Sequence, residues 1–191
     1  MIELIFPSFF SSHILDLPTE ELKDYCRTAN KGINHTQKRP DILDRTIPCI
    51  QDMFTKVEEK FNETFHNLDY RPELSLQISQ AWSNVGNHNW IDEPHIHPDS
   101  FFSGTLYLTN YTETGDHLNK GELVFVNPNV ASRLKQNPNL LKQINLFTSD
   151  SVIINPEVNK LVIFPSWIMH YVRQNRTETE RISIAFDTVI K

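Results

Sequence analysis

The chain has 191 residues, of which 39% are hydrophobic and 22% charged, with a formal net charge of -6. That length supports one ordinary domain, residues 1–191, with chain enough for a sizeable core. The acidic balance, with no basic cluster longer than Lys38-Arg39, argues against a nucleic-acid face, because phosphate binding needs clustered Lys and Arg.

The N-terminus has no basic stretch ahead of an apolar run and breaks at Pro7, so no secretory signal is expected. No apolar run approaches the roughly 20 residues that span a bilayer, so no membrane partner is expected. Cys26 and Cys49 are the two cysteines and form no C-x-x-C pair, which reads as reduced thiols in a cytoplasmic protein.

In chain order, Leu4-Ile5-Phe6 suggests a short strand, followed by loop to about Asp16. Pro18-Thr19-Glu20-Glu21 then opens a helix, with Thr19 able to cap it and the acidic residues suited to its positive end. It should run to about Asn30, ahead of Lys31-Gly32. A second helix is marked by Ile47, Ile50, Phe54, Val57, Phe61, Phe65 and Leu68, which recur at three- and four-residue steps. Pro48 falls in its first turn or kinks it. Residues 1–70 thus form a helical buttress.

From residue 73 the pattern changes to short strand-like runs: 74–82, 90–95, 102–108, 122–126, 152–155, 161–164, 170–173 and 181–189. Eight strands after two helices predict a mainly β fold with flanking α: an antiparallel jelly roll over 73–190, buttressed by the N-terminal helices. The stretch 129–147 interrupts it as an insertion, with helical turns expected at 132–135 and 140–144. This insertion and a loop over 84–94 should shape the entrance.

The chemistry-bearing residues lie in this second part. Residues i and i+2 of a strand project to one face, so His95 and His97 of Pro94-His95-Ile96-His97-Pro98-Asp99 can reach one metal ion. His170 arrives later, behind the apolar run Leu161-Val162-Ile163-Phe164. Imidazole suits iron, zinc, copper and nickel, and three ligands on one face leave positions open. Two registers compete. In one, His95, His97 and His170 form a three-histidine site. In the other, His97, Asp99 and His170 supply two histidines and a carboxylate, with His95 outside. The first is favoured because Pro98-Asp99-Ser100 has the composition of a turn. The remaining histidines, His13, His35, His66, His88 and His117, read as ordinary polar residues.

Alternation along Arg181-Ile182-Ser183-Ile184-Ala185-Phe186 puts Arg181 and Ser183 on one face. An inward arginine in a barrel needs an anion, and a carboxylate held by Arg181 and the Ser183 hydroxyl meets that need. Tyr107, on the strand after His97, is a second candidate for the same carboxylate. Trp82, Asn84 and Trp90 could line the mouth, and Trp167 is expected to pack beneath His170.

At these residues the chain resembles the 2-oxoglutarate and Fe(II)-dependent oxygenase superfamily, most closely a group found in bacteria and phages with prolyl-hydroxylase-like members. The matching residues are His95, His97-Pro98, Ser100, Ser103-Gly104 and Tyr107-Leu108, then Gly121–Phe125, Phe164–His170 and Arg181-Ile182-Ser183. The resemblance implies a double-stranded β-helix (cupin-like jelly roll) with Fe(II) held by His95, His97 and His170. It also implies 2-oxoglutarate as cosubstrate, its far carboxylate on Arg181, Ser183 and Tyr107. The expected activity is hydroxylation of a peptide side chain or small molecule by a monomer or homodimer in the cytoplasm, or the host cytoplasm for a phage protein. The departure is His97, which stands where most members have Asp or Glu. It keeps two alternatives open: a three-histidine cupin-type dioxygenase or zinc enzyme without 2-oxoglutarate, and a metal-free jelly-roll binding module.

Overall fold

Two helices and nine strands form among the residues that the computed structural model describes, which are 7–32, 41–110, 119–129, 142, 143, 145 and 148–191. The expected strand at Leu4-Ile5-Phe6 and the turn over 132–135 lie outside them, as do His35, His117 and all of 140–144 except Lys142 and Gln143. The first strand observed, β1 (Ser11–Ile14), lies in the stretch expected to be loop. Its alternating half-buried pattern carries almost no apolar signal, and Ser11 is tied instead to Thr64 by a 2.9 Å hydroxyl bond.

Helix α1 (Thr19–Ala29) begins one residue after Pro18, which takes the cap position. Thr19 does not cap: its hydroxyl donates to Leu17 O and to Asn159 Oδ1, 2.8 Å away, so it ties the helix start to a distant loop. Helix α2 (Pro48–His66) buries Ile50, Met53, Phe54, Val57, Phe61 and Phe65, with Pro48 in its first turn, where a missing N–H costs nothing. Leu68 lies past the helix end and is exposed. No described helix is long and apolar enough to cross a membrane. Cys26 and Cys49 are both buried and free.

The eight expected strands all form: β2 (Leu76–Gly86), β3 (Asp92–His95), β4 (Phe102–Tyr107), β5 (Leu123–Val126), β6 (Ser151–Ile154), β7 (Lys160–Pro165), β8 (His170–Val172) and β9 (Arg181–Ile190). They make two antiparallel sheets, ordered β1-β7-β4-β9-β2 and β3-β8-β5-β6. Because β2 runs on through Gly86, the expected loop over 84–94 shrinks to 87–91.

The larger sheet sorts its side chains by period-2 alternation. Phe102, Leu106, Leu161, Ile163, Ile182, Ile184 and Phe186 join the helix residues in one core cluster. Tyr107, Val162 and Phe164 turn the other way, into a second cluster with Leu123, Phe125 and Ile168 between the sheets. In β2 the register shifts between Ile78 and Gln80. This one-residue bulge lets Ile78 and Ala81 share the helix face and turns Trp82 and Asn84 to the interior.

Phe61 crosses the sheet at Gly104, where a Cβ would meet the Phe61 ring at 2.8 Å and Val162 O at 3.2 Å. Phe61 is fully buried against Phe186 and has no room to retreat. Gly104→Ala should therefore lower stability by about 1–3 kcal/mol. Urea denaturation measures it, and an unchanged midpoint would mean that Phe61 yields freely.

Candidate metal centre

His95 ends β3 and pairs directly across from His170, the first residue of β8. His97 follows two residues on, its backbone N–H bonded to Ser166 O at 3.0 Å in the turn between β7 and β8. These pairings bring the three rings together, with centroids 5.1 Å (His95–His97), 4.4 Å (His95–His170) and 5.1 Å (His97–His170) apart. One nitrogen of each lies within 4.8 Å of the others.

Two of the rings are turned by a hydrogen bond from Nδ1, His95 to Glu93 O at 2.6 Å and His170 to Ile168 O at 2.9 Å. A carbonyl oxygen only accepts, so in both rings Nδ1 carries the proton and Nε2 keeps its lone pair. That is the tautomer a metal needs. In the third ring, His97 Nδ1 lies in ion-pair contact with Asp187 Oδ1 at 2.7 Å. Among the described residues the buried His97 Nε2 has no partner. Three converging imidazole lone pairs, one of them orphaned, fit a divalent transition metal. Asp99 sits exposed on the turn after His97 and is not in this group.

The same cavity holds the arginine. Trp82, Asn84, Trp90, the three histidines, Phe164, Arg181 and Ser183 line about 380 Å³ of space, part of it open to solvent. Arg181 is 1% exposed. It donates from Nε to Gly121 O at 3.0 Å and from Nη1 to Ser183 Oγ at 2.7 Å. Its guanidinium packs between the Trp90 ring, 5.1 Å away, and the Tyr107 ring, 5.3 Å away. Among the described residues no carboxylate pairs with it, so a buried cation faces the cavity with its charge unmatched. Burial pushes the Tyr107 phenol up to about 12, with the neighbouring Arg181 guanidinium only partly offsetting it. Trp90 reaches this position because Gly86 has no side chain: a Cβ there would lie 2.6 Å from the indole.

One expectation needs correcting and one set of residues was missed. Trp167 is 57% exposed at the apex of its turn, and Phe164 packs against His170 in its place, 4.7 Å away. Trp82 lines the cavity as expected, and its indole also stacks on His97 at 5.6 Å and 18°. Asp187, Ser103 and Ser166 were missed, although Asp187 continues the alternation Arg181, Ser183, Ala185 and was open to the same argument.

With this geometry in place, the comparisons with known proteins become specific. Residues 80–187 match the family described as "Putative 2OG-Fe(II) oxygenase", which spans more than half of the chain. The chain belongs to the 2OG-Fe(II) oxygenase family. No curated relative matches the sequence of this oxygenase significantly. Among solved structures it is similar to a prolyl-4-hydroxylase from Pseudomonas putida, with 16% identity over 94% of this chain and 86% of that one, and a TM-score of 0.61. HygX from Streptomyces hygroscopicus with nickel and 2-oxoglutarate bound is 10% identical over 95% and 82% of the two chains, with a TM-score of 0.60. The epimerase SnoN from nogalamycin biosynthesis is 11% identical over 95% and 78%, with a TM-score of 0.62. At such identities the likeness carries the fold, a double-stranded β-helix. The family supplies the cofactors, Fe(II) and 2-oxoglutarate, and favours an oxygenase over the cupin and metal-free alternatives.

Desolvation of His170 between the sheets, only partly offset by its bond to Ile168 O, lowers its pKa from 6.5 to about 4. Unfolded, the ring titrates near 6.5, so between these values the unfolded chain binds the extra proton. This contribution to stability is complete above about 6.5 and is lost as pH falls toward 4. Metal-free protein should lose denaturation midpoint across that window, and His170→Gln should flatten the slope. A His170 NMR titration centred near 6.5 would refute the assignment.

Proposed function

We propose that this oxygenase hydroxylates a peptide side chain or small molecule, with His95, His97 and His170 holding Fe(II) through Nε2 and Arg181 anchoring 2-oxoglutarate. The observation that carries the reading is Arg181, a buried guanidinium that has no carboxylate partner among the described residues and lies in the cavity wall that also contains the three histidines. Removing such a charge from water is costly unless an anion meets it. A planar fork with a hydroxyl 2.7 Å away matches the far carboxylate of a dicarboxylic acid, and the buried Tyr107 packs beside it.

When bound, Fe(II) and 2-oxoglutarate supply the oxidising chemistry, in which 2-oxoglutarate and dioxygen give succinate, carbon dioxide and a hydroxylated product. The protein's part is positioning. The Nδ1–H bonds of His95 and His170, and the Asp187 contact at His97 Nδ1, set which nitrogen of each ring faces the metal. Arg181, Ser183 and Tyr107 fix the cosubstrate, while Phe164, Leu123 and Val172 keep the wall dry. Trp82 Nε1 and Asn84 Oδ1, buried in the same wall without partners among the described residues, offer one donor and one acceptor to a bound molecule. No side chain is required to act as a general base.

Anaerobic titration of Fe(II)-loaded protein with 2-oxoglutarate tests this through the weak visible charge-transfer band of the chelate. The band should appear for the unsubstituted protein. Arg181→Ala should weaken 2-oxoglutarate binding by about 3 kcal/mol, on the order of 100-fold, and leave Fe(II) binding intact. Arg181→Lys, which keeps the charge but not the fork, should fall between. Fe(II) binding with no band in the unsubstituted protein would overturn the proposal.

A further inference from the structure

His97 occupies the position that the resemblance gives to a carboxylate, so the three candidate ligands are all imidazoles. Two of them bond at Nδ1 to neutral backbone carbonyls, of Glu93 and Ile168. The third does not. The His97 Nδ1 lies 2.7 Å from Asp187 Oδ1, and Asp187 is 6% exposed. The same oxygen accepts from Ser103 Oγ at 2.6 Å, and Ser103 Oγ lies 2.8 Å from Ser166 Oγ. Ser166 O in turn accepts the His97 backbone N–H. His97 is thus held at ring and backbone by contacts that run through β9, β4 and the β7–β8 turn. On its other face His97 is stacked on Trp82.

We infer that Asp187 is the displaced carboxylate of this metal centre: a positioning residue that acts through His97, holding its ring and lending it the negative character that a direct carboxylate ligand would supply. The inference rests on the proposed three-histidine site and adds to it the source of charge. A carboxylate behind a metal-bound imidazole raises the basicity of that imidazole, and loss of such a partner costs 10- to 100-fold in metal affinity. The four residues His97, Ser103, Ser166 and Asp187 come from different segments, and the β4–β9 register sets Ser103 directly opposite Asp187.

Co(II) binding to the apoprotein tests this directly, without turnover. Asp187→Asn keeps the shape and removes the charge, and it should weaken Co(II) binding 10- to 100-fold and shift the visible d–d spectrum. A double-mutant cycle separates action through His97 from a general structural effect. With His97→Asp, which returns a carboxylate to the ligand position, adding Asp187→Asn should no longer weaken Co(II) binding. Equal losses in both backgrounds, or no loss in the first, would overturn the inference and leave the proposed site standing. Failure of the unsubstituted protein to bind Co(II) would overturn both. Should Asp187→Asn not fold, the Zn(II)-loaded protein carries the test by proton NMR. The His97 Nδ1–H resonance should lie downfield of those of His95 and His170, because a carboxylate is the stronger acceptor; three similar resonances would refute it.

Discussion

Strand β9 holds the molecule together by facing two ways. It lies between β4 and β2 in the larger sheet, and its side chains from Arg181 to Thr188 are all buried. Ile182, Ile184 and Phe186 point to the helices, and Phe186 meets Phe54 and Phe61 edge to face. Arg181, Ser183, Ala185 and Asp187 point into the barrel. A slip of one residue would bury Arg181 and Asp187 among phenylalanines and expose the isoleucines to the cavity. The register is therefore fixed by hydrophobic burial on one face, at about 1.5–3 kcal/mol for each large side chain, and the polar site on the other face follows from it.

Its two neighbours are adjusted to that register. On β4, Gly104 makes room for Phe61, so α2 sits close and the sheet cannot shift sideways. Ser103 and Tyr107, at odd positions of β4, then fall opposite Asp187 and Ser183. On β2 the bulge near Ser79 reverses the parity, which places Trp82 opposite Ala185 and Asn84 opposite Ser183. At the far end, Gly86 lies opposite Arg181 and leaves space for the Trp90 ring over the guanidinium. Thus one bulge and two glycines, none of which carries chemistry, decide which functional groups meet in the cavity.

This explains what could be read from the sequence and what could not. The strands were legible because one buried face imposes alternation, and α2 because its apolar stripe is unbroken. The inward face of Arg181 was legible from strand alternation, and the pairing of His95 with His97 from their i, i+2 spacing, although His97 lies two residues past the end of β3. Strand β1 was not, because Ser11-Ser12-His13 pairs with β7 through backbone bonds and carries no apolar alternation. Thr19 was misread as a cap because its real partner, Asn159, lies 140 residues away. The inward turn of Trp82 depends on a bulge that no residue type announces. Trp167 was misplaced because the chain leaves β7 in a turn, where strand parity no longer applies. Asp187 is a different case: it continues the alternation of Arg181 and Ser183, so its inward face was legible.

The exchange of a carboxylate for His97 bears on how the charge of the centre is distributed. A carboxylate bound directly to a metal is a tightly held anion with little freedom to move. An imidazole backed by Asp187 spreads the same charge over a ring and a second group anchored in β9. The effect survives the added distance because the relay is dry: Asp187 is almost fully buried, the His97 Nε2 is sealed from water, and Trp82 covers the ring. In water such a charge would be screened to about 1 kcal/mol at 4 Å, whereas a low local dielectric keeps it several-fold stronger. The ladder of Asp187, His97 and the metal position also runs from the strand that carries Arg181. In the proposed site one element would therefore set the polarity of the metal at one end and the seat of the 2-oxoglutarate carboxylate at the other.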